Sequence, residues 1–577
     1  MPKIESEKLP IWTEGSRYIK GEEARKINIE AFKAFAEALK TSLGPNGLDK
    51  ILMKIHGPRP QDVDTAISNY GAKIIKAAQL EHPIAKFITK VVEAQEEEVG
   101  DGTKSVIIIA GELLRKAEEL LKMGIHPTVI IKGYKKALEE VFEILKEITI
   151  SVDINKDNDV LKRVAISTMN NKTVEGSEQT LADMTIKAVK QVAEKVNGEK
   201  WRVNLDNIGL TRREGGGVSD TKIINGLIID KEVSYKQMPK RIKNCKILLI
   251  NKTMDGLFFR HSEARYTKLV ITKLGQREDF ANEQRDIIEE IVDKFAETGA
   301  NVIFCQQQID NVFYQPLFKR GIAAIEQTLL DDMERLVKAT GARVIQDIFD
   351  LKPEDLGKAE LFERRKVGDE EVIFIEGVED PKAIGILVRG GIDVVAREVS
   401  RIIKNGLNAV KNVIENPFVV VGGGAVELEL SKRLKSHAYK FGKREQLAVK
   451  KFAESLECIP QALAKNAGFD AQELLANLKM EHKNGKANIG FDCLRGTIGD
   501  VGGENGIFEP LGVKKQILLG AFEAATTVLR IDRIFVERQG PGGPLYFGDK
   551  KRGQKEMEEK LPDLQQFIER KQENMNI

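Results

Sequence analysis

The densest chemistry in the chain lies in Glu98-Val99-Gly100-Asp101-Gly102-Thr103-Lys104-Ser105, which runs at once into the apolar Val106-Ile107-Ile108-Ile109-Ala110. Glycines on both sides of an aspartate, followed by hydroxyl side chains, allow a tight turn whose backbone amides and helix start face a phosphate. Asp101 is then free to hold a divalent cation. The same residues also fit an ordinary Gly-Asp-Gly turn capped by Thr103 at a helix N-terminus, and the octapeptide alone does not separate the two. A second stretch of this kind is Phe418-Val419-Val420-Val421-Gly422-Gly423-Gly424-Ala425, a strand leading into a glycine turn and a helix. No Walker-type G-x-x-x-x-G-K-[ST] run accompanies either stretch.

The elements around these turns follow from apolar spacing. Ile27, Ala31, Phe32, Phe35, Ala36 and Leu39 recur at helical intervals over 22–42, and the pattern stops at Leu43-Gly44-Pro45-Asn46-Gly47. Short strands are expected at 50–55 and 63–68, joined by the turn Gly57-Pro58-Arg59-Pro60. Helices fill 106–145, with a break at Gly124-Ile125-His126-Pro127, and a long helix is expected at 179–196. In the middle third, strand candidates at 246–250, 301–305, 322–325 and 342–345 alternate with helical patterns at 286–297 and 331–340. That alternation predicts an α/β domain with parallel strands. Between the first two strands, 251–277 is longer than a connection needs and carries Met254, Leu257, Phe258, Phe259, Leu269, Val270 and Ile271, so a protruding segment is expected there. A helix at 394–413, helices over 427–478, a turn at Glu509-Pro510-Leu511 and a last helix at 514–529 complete the pattern. Beyond Val536, Gln539-Gly540-Pro541-Gly542-Gly543-Pro544 and a charged tail predict a flexible linker with a weak amphipathic helix. The order is helical, mixed, α/β, mixed, helical, which predicts that the first and last thirds fold together and carry the α/β domain as an insertion.

Composition limits the function classes. A chain of 577 residues is too long for a single core. Its net charge of +2 gives no global field for nucleic acid or an anionic membrane, and neither is expected as a partner. Cys245, Cys305, Cys458 and Cys493 show no C-x-x-C spacing, and the histidines include no H-E-x-x-H pair. No disulfide framework or histidine metal site is therefore expected. The start of the chain lacks a signal-type apolar stretch and no run approaches the ~20 apolar residues of a membrane span, so a cytoplasmic protein is expected.

Several motifs taken together carry a resemblance. Thr41-Ser42-Leu43-Gly44-Pro45, Glu81-His82-Pro83, Glu98 to Thr103, Ile125-His126-Pro127-Thr128, Arg389-Gly390-Gly391 and Val421 to Ala425 resemble the group II chaperonins, the thermosome and TCP-1 subunits, in the right order over roughly residues 15–535. The ending at 523–532 looks archaeal-type. The resemblance implies a multidomain α and α/β chaperonin fold: a helical equatorial domain at 1–146 and 403–536, a small mixed intermediate domain at 147–216 and 369–402, and an α/β apical domain at 217–368. The last would carry a helical lid protrusion at about 251–277, and 537–577 would be a flexible charged tail. It also implies ATP or ADP with Mg²⁺ as cofactors, unfolded proteins as clients, and a double ring built from this chain or with chaperonin paralogues. Residue by residue, Leu43, Gly44 and Pro45 match the first phosphate loop, and Gly100, Asp101, Gly102, Thr103 and Ser105 match the second, with Asp101 as the magnesium ligand. Gly423 matches the glycine against the nucleoside, Glu509 the carboxylate near the sugar, and Lys172 the lysine that senses the terminal phosphate.

The chain also departs from the family pattern, as a divergent paralogue would. Tyr70, in Asn69-Tyr70-Gly71-Ala72-Lys73, stands where the family has an aspartate beside the phosphates, and Asn405 stands where it has the aspartate that positions water. An amide or a phenol does not accept a proton from water as a carboxylate does, so hydrolysis is expected to be impaired. Lys104 and Lys73 add positive charge where the family usually has threonines, either pairing with the phosphates or blocking the site. Two alternatives stay open: a fully active folding ATPase with substitute residues, and a structural or regulatory subunit of a mixed ring that binds no nucleotide.

Overall fold

The computed structural model describes residues 17–55, 63–68, 70–77, 83–170, 172–196, 198, 200–254, 276–503 and 506–536. The chain divides into two units, Asn28–Arg530 and the joined ends Met1–Ile27 with Ile531–Ile577. In the latter, strands Arg17–Lys20 and Arg533–Val536 pair antiparallel, Tyr18 opposite Phe535, and the Gly21 amide donates to the Asp532 carbonyl at 2.6 Å.

The larger unit holds three main buried cores. The first draws on 29–145 and 420–529. Its central helix, Thr103–Lys122, is buried on every side over 106–114, with Val106, Ile107, Ile108, Ile109 and Leu113 buried completely or almost so, and turns a charged face with Arg115, Glu119 and Lys122 outward in its second half. Leu511–Arg530, Lys443–Leu456 and Pro127–Ile148 pack around it and around one another. The second core spans 227–383 and is built on a seven-stranded sheet. Arg241–Ile250, Val302–Cys305 and Ala323–Ile325 run parallel, as does Val344–Ile345 beside the first of them. The sheet is mixed rather than all parallel, because Gly357–Val367, Glu370–Glu376 and Gly226–Ile229 extend it antiparallel. The third core joins helices Asn158–Met169, Glu178–Val192 and Asp393–Glu415 to a small sheet in which Ile384–Gly390 runs parallel to Ile208–Glu214.

The structure corrects several expectations. The helix expected at 179–196 ends at Val192, because Ala193–Val196 turns out as a strand paired with Lys200–Val203. The turn expected at Glu509 to Leu511 is mostly strand: Phe508–Pro510 pairs with Phe418–Val421, placing Glu509 opposite Val420. Met254, expected on a protruding surface, is fully buried in the α/β core and bridges to Ile309. Most of the expected protrusion, the turn at 57–60 and the tail after Val536 lie outside the described residues. Among the described residues no helix is long and apolar enough to cross a membrane.

A buried ionic cluster ties the helix Ala425–His437 to the helix Ala471–Lys483. His482 Nδ1 lies 2.9 Å from Glu429 Oε2 and Nε2 lies 2.8 Å from the Ile489 carbonyl, so both ring nitrogens face acceptors. Burial alone would raise the Glu429 carboxyl, but His482 and Arg433 overcome this and bring it down to about 2 from an ordinary 4.5. A carboxylate with a depressed folded value adds stability that is complete above its ordinary value and is lost as pH falls from 4.5 toward 2. Glu429→Gln is therefore expected to lower stability at neutral pH by about 1–3 kcal/mol. Melting temperatures measured against pH will show the variant and the parent converging in acid.

Candidate functional site

A cavity of about 720 Å³ opens within the larger unit, lined from both the first and the third cores. Its walls include Leu43, Gly44, Pro45, Asp101, Gly102, Thr103, Lys104, Ser105, Gly423 and Glu509, together with Tyr70 and Asn405. Residues more than 450 positions apart in the chain thus face one space. Gly100 is not part of the wall. A Cβ there would lie 2.2 Å from Asn408 Nδ2, so its role is close packing against the 393–415 helix. Lys172 starts a short 3₁₀ turn, Lys172–Val174, and its side chain is outside the described residues, whereas its neighbours Ser167, Thr168 and Asn170 do line the cavity.

The opening turn owes its shape to packing. Gly102 sits at φ +81°, a conformation costly for a residue with a side chain, and an added Cβ would lie 2.5 Å from Ile517 Cδ1. Thr103 is the first helical residue and Gly102 precedes it with no side-chain cap, so the expected alternative of a Thr103-capped turn is not what forms. The start of the Thr103–Lys122 helix therefore keeps uncapped amide donors at the cavity wall, the arrangement that suits an anion. Asp101 Oδ1 accepts from the Gly102 amide at 2.7 Å, and Gln95 Nε2 donates to the Asp101 carbonyl at 2.8 Å. Burial pushes the Asp101 carboxyl up against the pull of the Gly102 bond and of Lys104. A carboxylate in that position gains from a bound cation.

Two ends of the cavity differ in charge. At one, the Lys514 ammonium lies 2.6 Å from Glu427 Oε1 and 2.6 Å from Glu509 Oε2. Burial works against the Lys514 charge, and the two carboxylates overcome it and raise its pKa. Burial likewise raises Glu509. Glu427 is 2% exposed and its Oε2 has no hydrogen-bond partner among the described residues. At the other end, Tyr70 donates its hydroxyl to Glu96 Oε1 at 2.6 Å, and burial together with Glu96 raises its pKa. The Arg401 guanidinium lies 4.7 Å from the Tyr70 ring centroid and pairs with Glu398, Nε to Oε2 at 3.1 Å. Arg401 and Asn405 share a face of the Asp393–Glu415 helix by their i, i+4 spacing. Lys104 donates from Nζ to the Ser42 carbonyl at 2.5 Å, and burial, with Arg401 nearby, lowers its pKa to about 8.

Comparison with known proteins agrees with this geometry. The model of the TCP-1/cpn60 chaperonin family matches residues 35–539. The chain belongs to that family. It is 42% identical to thermosome subunit beta of Thermococcus kodakarensis over 555 residues, covering 95% of this chain and 99% of the relative. Thermosome subunit alpha of Archaeoglobus fulgidus is 41% identical over 94% of this chain and 98% of its own length, and a thermosome subunit of Methanopyrus kandleri is 42% identical over 92% and 95%. Such likeness along nearly the whole chain makes this protein a group II chaperonin subunit.

Among chaperonin residues at this cavity, sequence reasoning missed Arg401, Glu427 and Lys514. Arg401 was within reach, because it stands one helical turn before Asn405. Glu427 and Lys514 carry no such signal in a chain that is 31% charged. Their importance is testable. Lys514→Met is expected to leave Glu427 and Glu509 facing each other without a counter-charge and to destabilise the fold by about 3–5 kcal/mol. Without the ammonium, Glu509 rises further and the folded state binds protons more readily than the unfolded one, so the deficit shrinks from neutral toward mildly acid pH. Denaturant unfolding at several pH values measures both effects.

Proposed function

We propose that this chaperonin subunit binds ATP or ADP with magnesium in the cavity, assists protein folding in a double ring, and hydrolyses ATP poorly. The observation that carries the hydrolysis part is Tyr70: its phenol lines the cavity and its proton is committed to Glu96. Asn405 stands on the facing helix with an amide where a carboxylate would accept a proton. The fit to a magnesium nucleotide rests on the uncapped helix start, the glycine turn and Asp101. One protein carboxylate is enough when phosphates supply the other ligands. Described residues hold no cluster of three or more histidine, cysteine or acidic side chains for a free-standing metal.

Bound ATP with its magnesium would supply the transferable phosphoryl group and neutralise its charge. The chain's own part would be to hold the phosphates on the uncapped amides at Thr103 and Lys104, to hold the metal on Asp101, and to fix the sugar end near Glu509 and Gly423. Lys172 would sense the terminal phosphate. We further assign 1–146 and 403–536 to an equatorial domain, 147–216 and 369–402 to an intermediate domain, and 217–368 to an apical domain with a lid at about 251–277. Unfolded proteins would be the clients, the ring partners copies of this chain or chaperonin paralogues, and the compartment the cytoplasm.

Steady-state phosphate release from the purified subunit tests this. General acid–base positioning is worth about 10²–10⁴ in rate, so the pair Tyr70→Asp with Asn405→Asp is expected to raise turnover by about tenfold or more. Asp101→Ala in that background is expected to abolish it. Unaltered turnover in the restored pair, at an ordinary chaperonin rate in the parent, would sink the proposal of impaired hydrolysis.

A further inference from the structure

Lys104 differs from the other cations described at the cavity, Lys162, Arg163, Arg401, Arg495 and Lys514, each of which pairs with a carboxylate. It is the second residue of the Thr103–Lys122 helix, and its ammonium crosses to the Ser42 carbonyl at 2.5 Å, just before the Leu43-Gly44-Pro45 turn. The two turns that flank the cavity are thereby joined through one charged group. Gly71 makes the room: a Cβ there would lie 2.8 Å from Lys104 Cγ and 3.0 Å from Thr103 Oγ1. An ammonium has three N–H donors, and the Ser42 carbonyl takes one of them. Among the described residues no second acceptor lies within hydrogen-bond distance, so donors remain for an anion.

Charge at this end points the same way. Tyr70 and Asn405 carry no charge, Glu96 and Glu398 are engaged by Tyr70 and Arg401, and Asp101 is the carboxylate in the glycine turn. A lysine drawn out of water without a carboxylate partner is costly, which is why burial lowers its pKa to about 8. An incoming polyanion offsets that cost, because it brings a counter-charge in direct contact, which the longer-range pull of Asp101, Glu398 and Asp49 does not supply.

We propose that Lys104 is a resident counter-cation for the phosphates of a nucleoside di- or triphosphate in this cavity, so that nucleotide binding here persists when metal ions are removed. The proposal rests on the nucleotide reading above and adds to it where the charge comes from. Asp101 still holds the metal when it is present, while Lys104 supplies charge that does not depend on it. The glycine turn's amides and the Lys104 ammonium then act on the same phosphates from adjoining positions in the chain.

The test is equilibrium binding of fluorescently labelled ADP to the full-length protein and to Lys104→Thr, each with excess magnesium and each with EDTA. The parent is expected to bind in EDTA within about tenfold of its affinity in magnesium. Lys104→Thr is expected to keep the parent's melting temperature, which shows that it is folded, to bind more weakly than the parent in magnesium, and to lose a further tenfold or so in EDTA. Parent binding that disappears in EDTA overturns the proposal. So does a Lys104→Thr variant that matches the parent in both conditions, or one that loses equally in both, which would make the lysine a strut between the turns. A parent that binds in neither condition overturns the nucleotide reading itself.

Discussion

A single buried ammonium, Lys514 between Glu427 and Glu509, holds one end of the cavity together. It ties the last long helix to the helix that follows the glycine turn and to the strand Phe508–Pro510. Charges this deep are tolerated only when they are paired, so the three elements must meet in one register. That register places Glu509 opposite Val420, just before the glycine turn, and sets Ile517 against Gly102 on the far wall. The shape of both glycine turns therefore depends on where the last helix sits.

The opposite end of the cavity uses weaker and more adjustable contacts. Tyr70 packs against the first core, and Arg401 stands on a helix of the third. Their cation–π contact, flanked by Glu96 and Glu398, spans the two cores through side chains with several rotatable bonds. Contacts of this kind are worth about 0.5–2 kcal/mol each, less than a buried ion pair broken on one side. The two ends thus differ in rigidity: the carboxylate end is fixed by a buried charge network, and the Tyr70 end is bridged by a stack that can rearrange at small cost.

Much of this was legible in the sequence. Glycine turns announce themselves because few residues tolerate positive φ, and the helices at 103–122, 127–148 and 393–415 carry apolar spacing strong enough to place within a few residues. The strand Gly357–Val367 went unread because its charges disguise it: Arg364 is buried yet satisfied by Glu371, at 2.7 Å, across the sheet. Ala193–Val196 was read as helix because its partner Lys200–Val203 is what makes it a strand, and a pairing partner is not visible in local spacing. The direction of Lys104 lay beyond sequence for the same reason. Where the ammonium of a lysine at that position comes to rest depends on a carbonyl 62 residues away.

The glycine turn and the side chains at positions 70 and 405 are held by different kinds of constraint. Gly102 cannot gain a side chain without straining φ and pressing on Ile517, so backbone conformation and packing together preserve the turn. Positions 70 and 405 carry side chains that line the cavity, and neither a phenol nor an amide there disturbs the three cores. A chain can therefore keep the shape of the glycine turn while exchanging the side chains that face the cavity beside it. Backbone geometry of this type speaks for what the cavity can hold, and the side chains around it for what then happens.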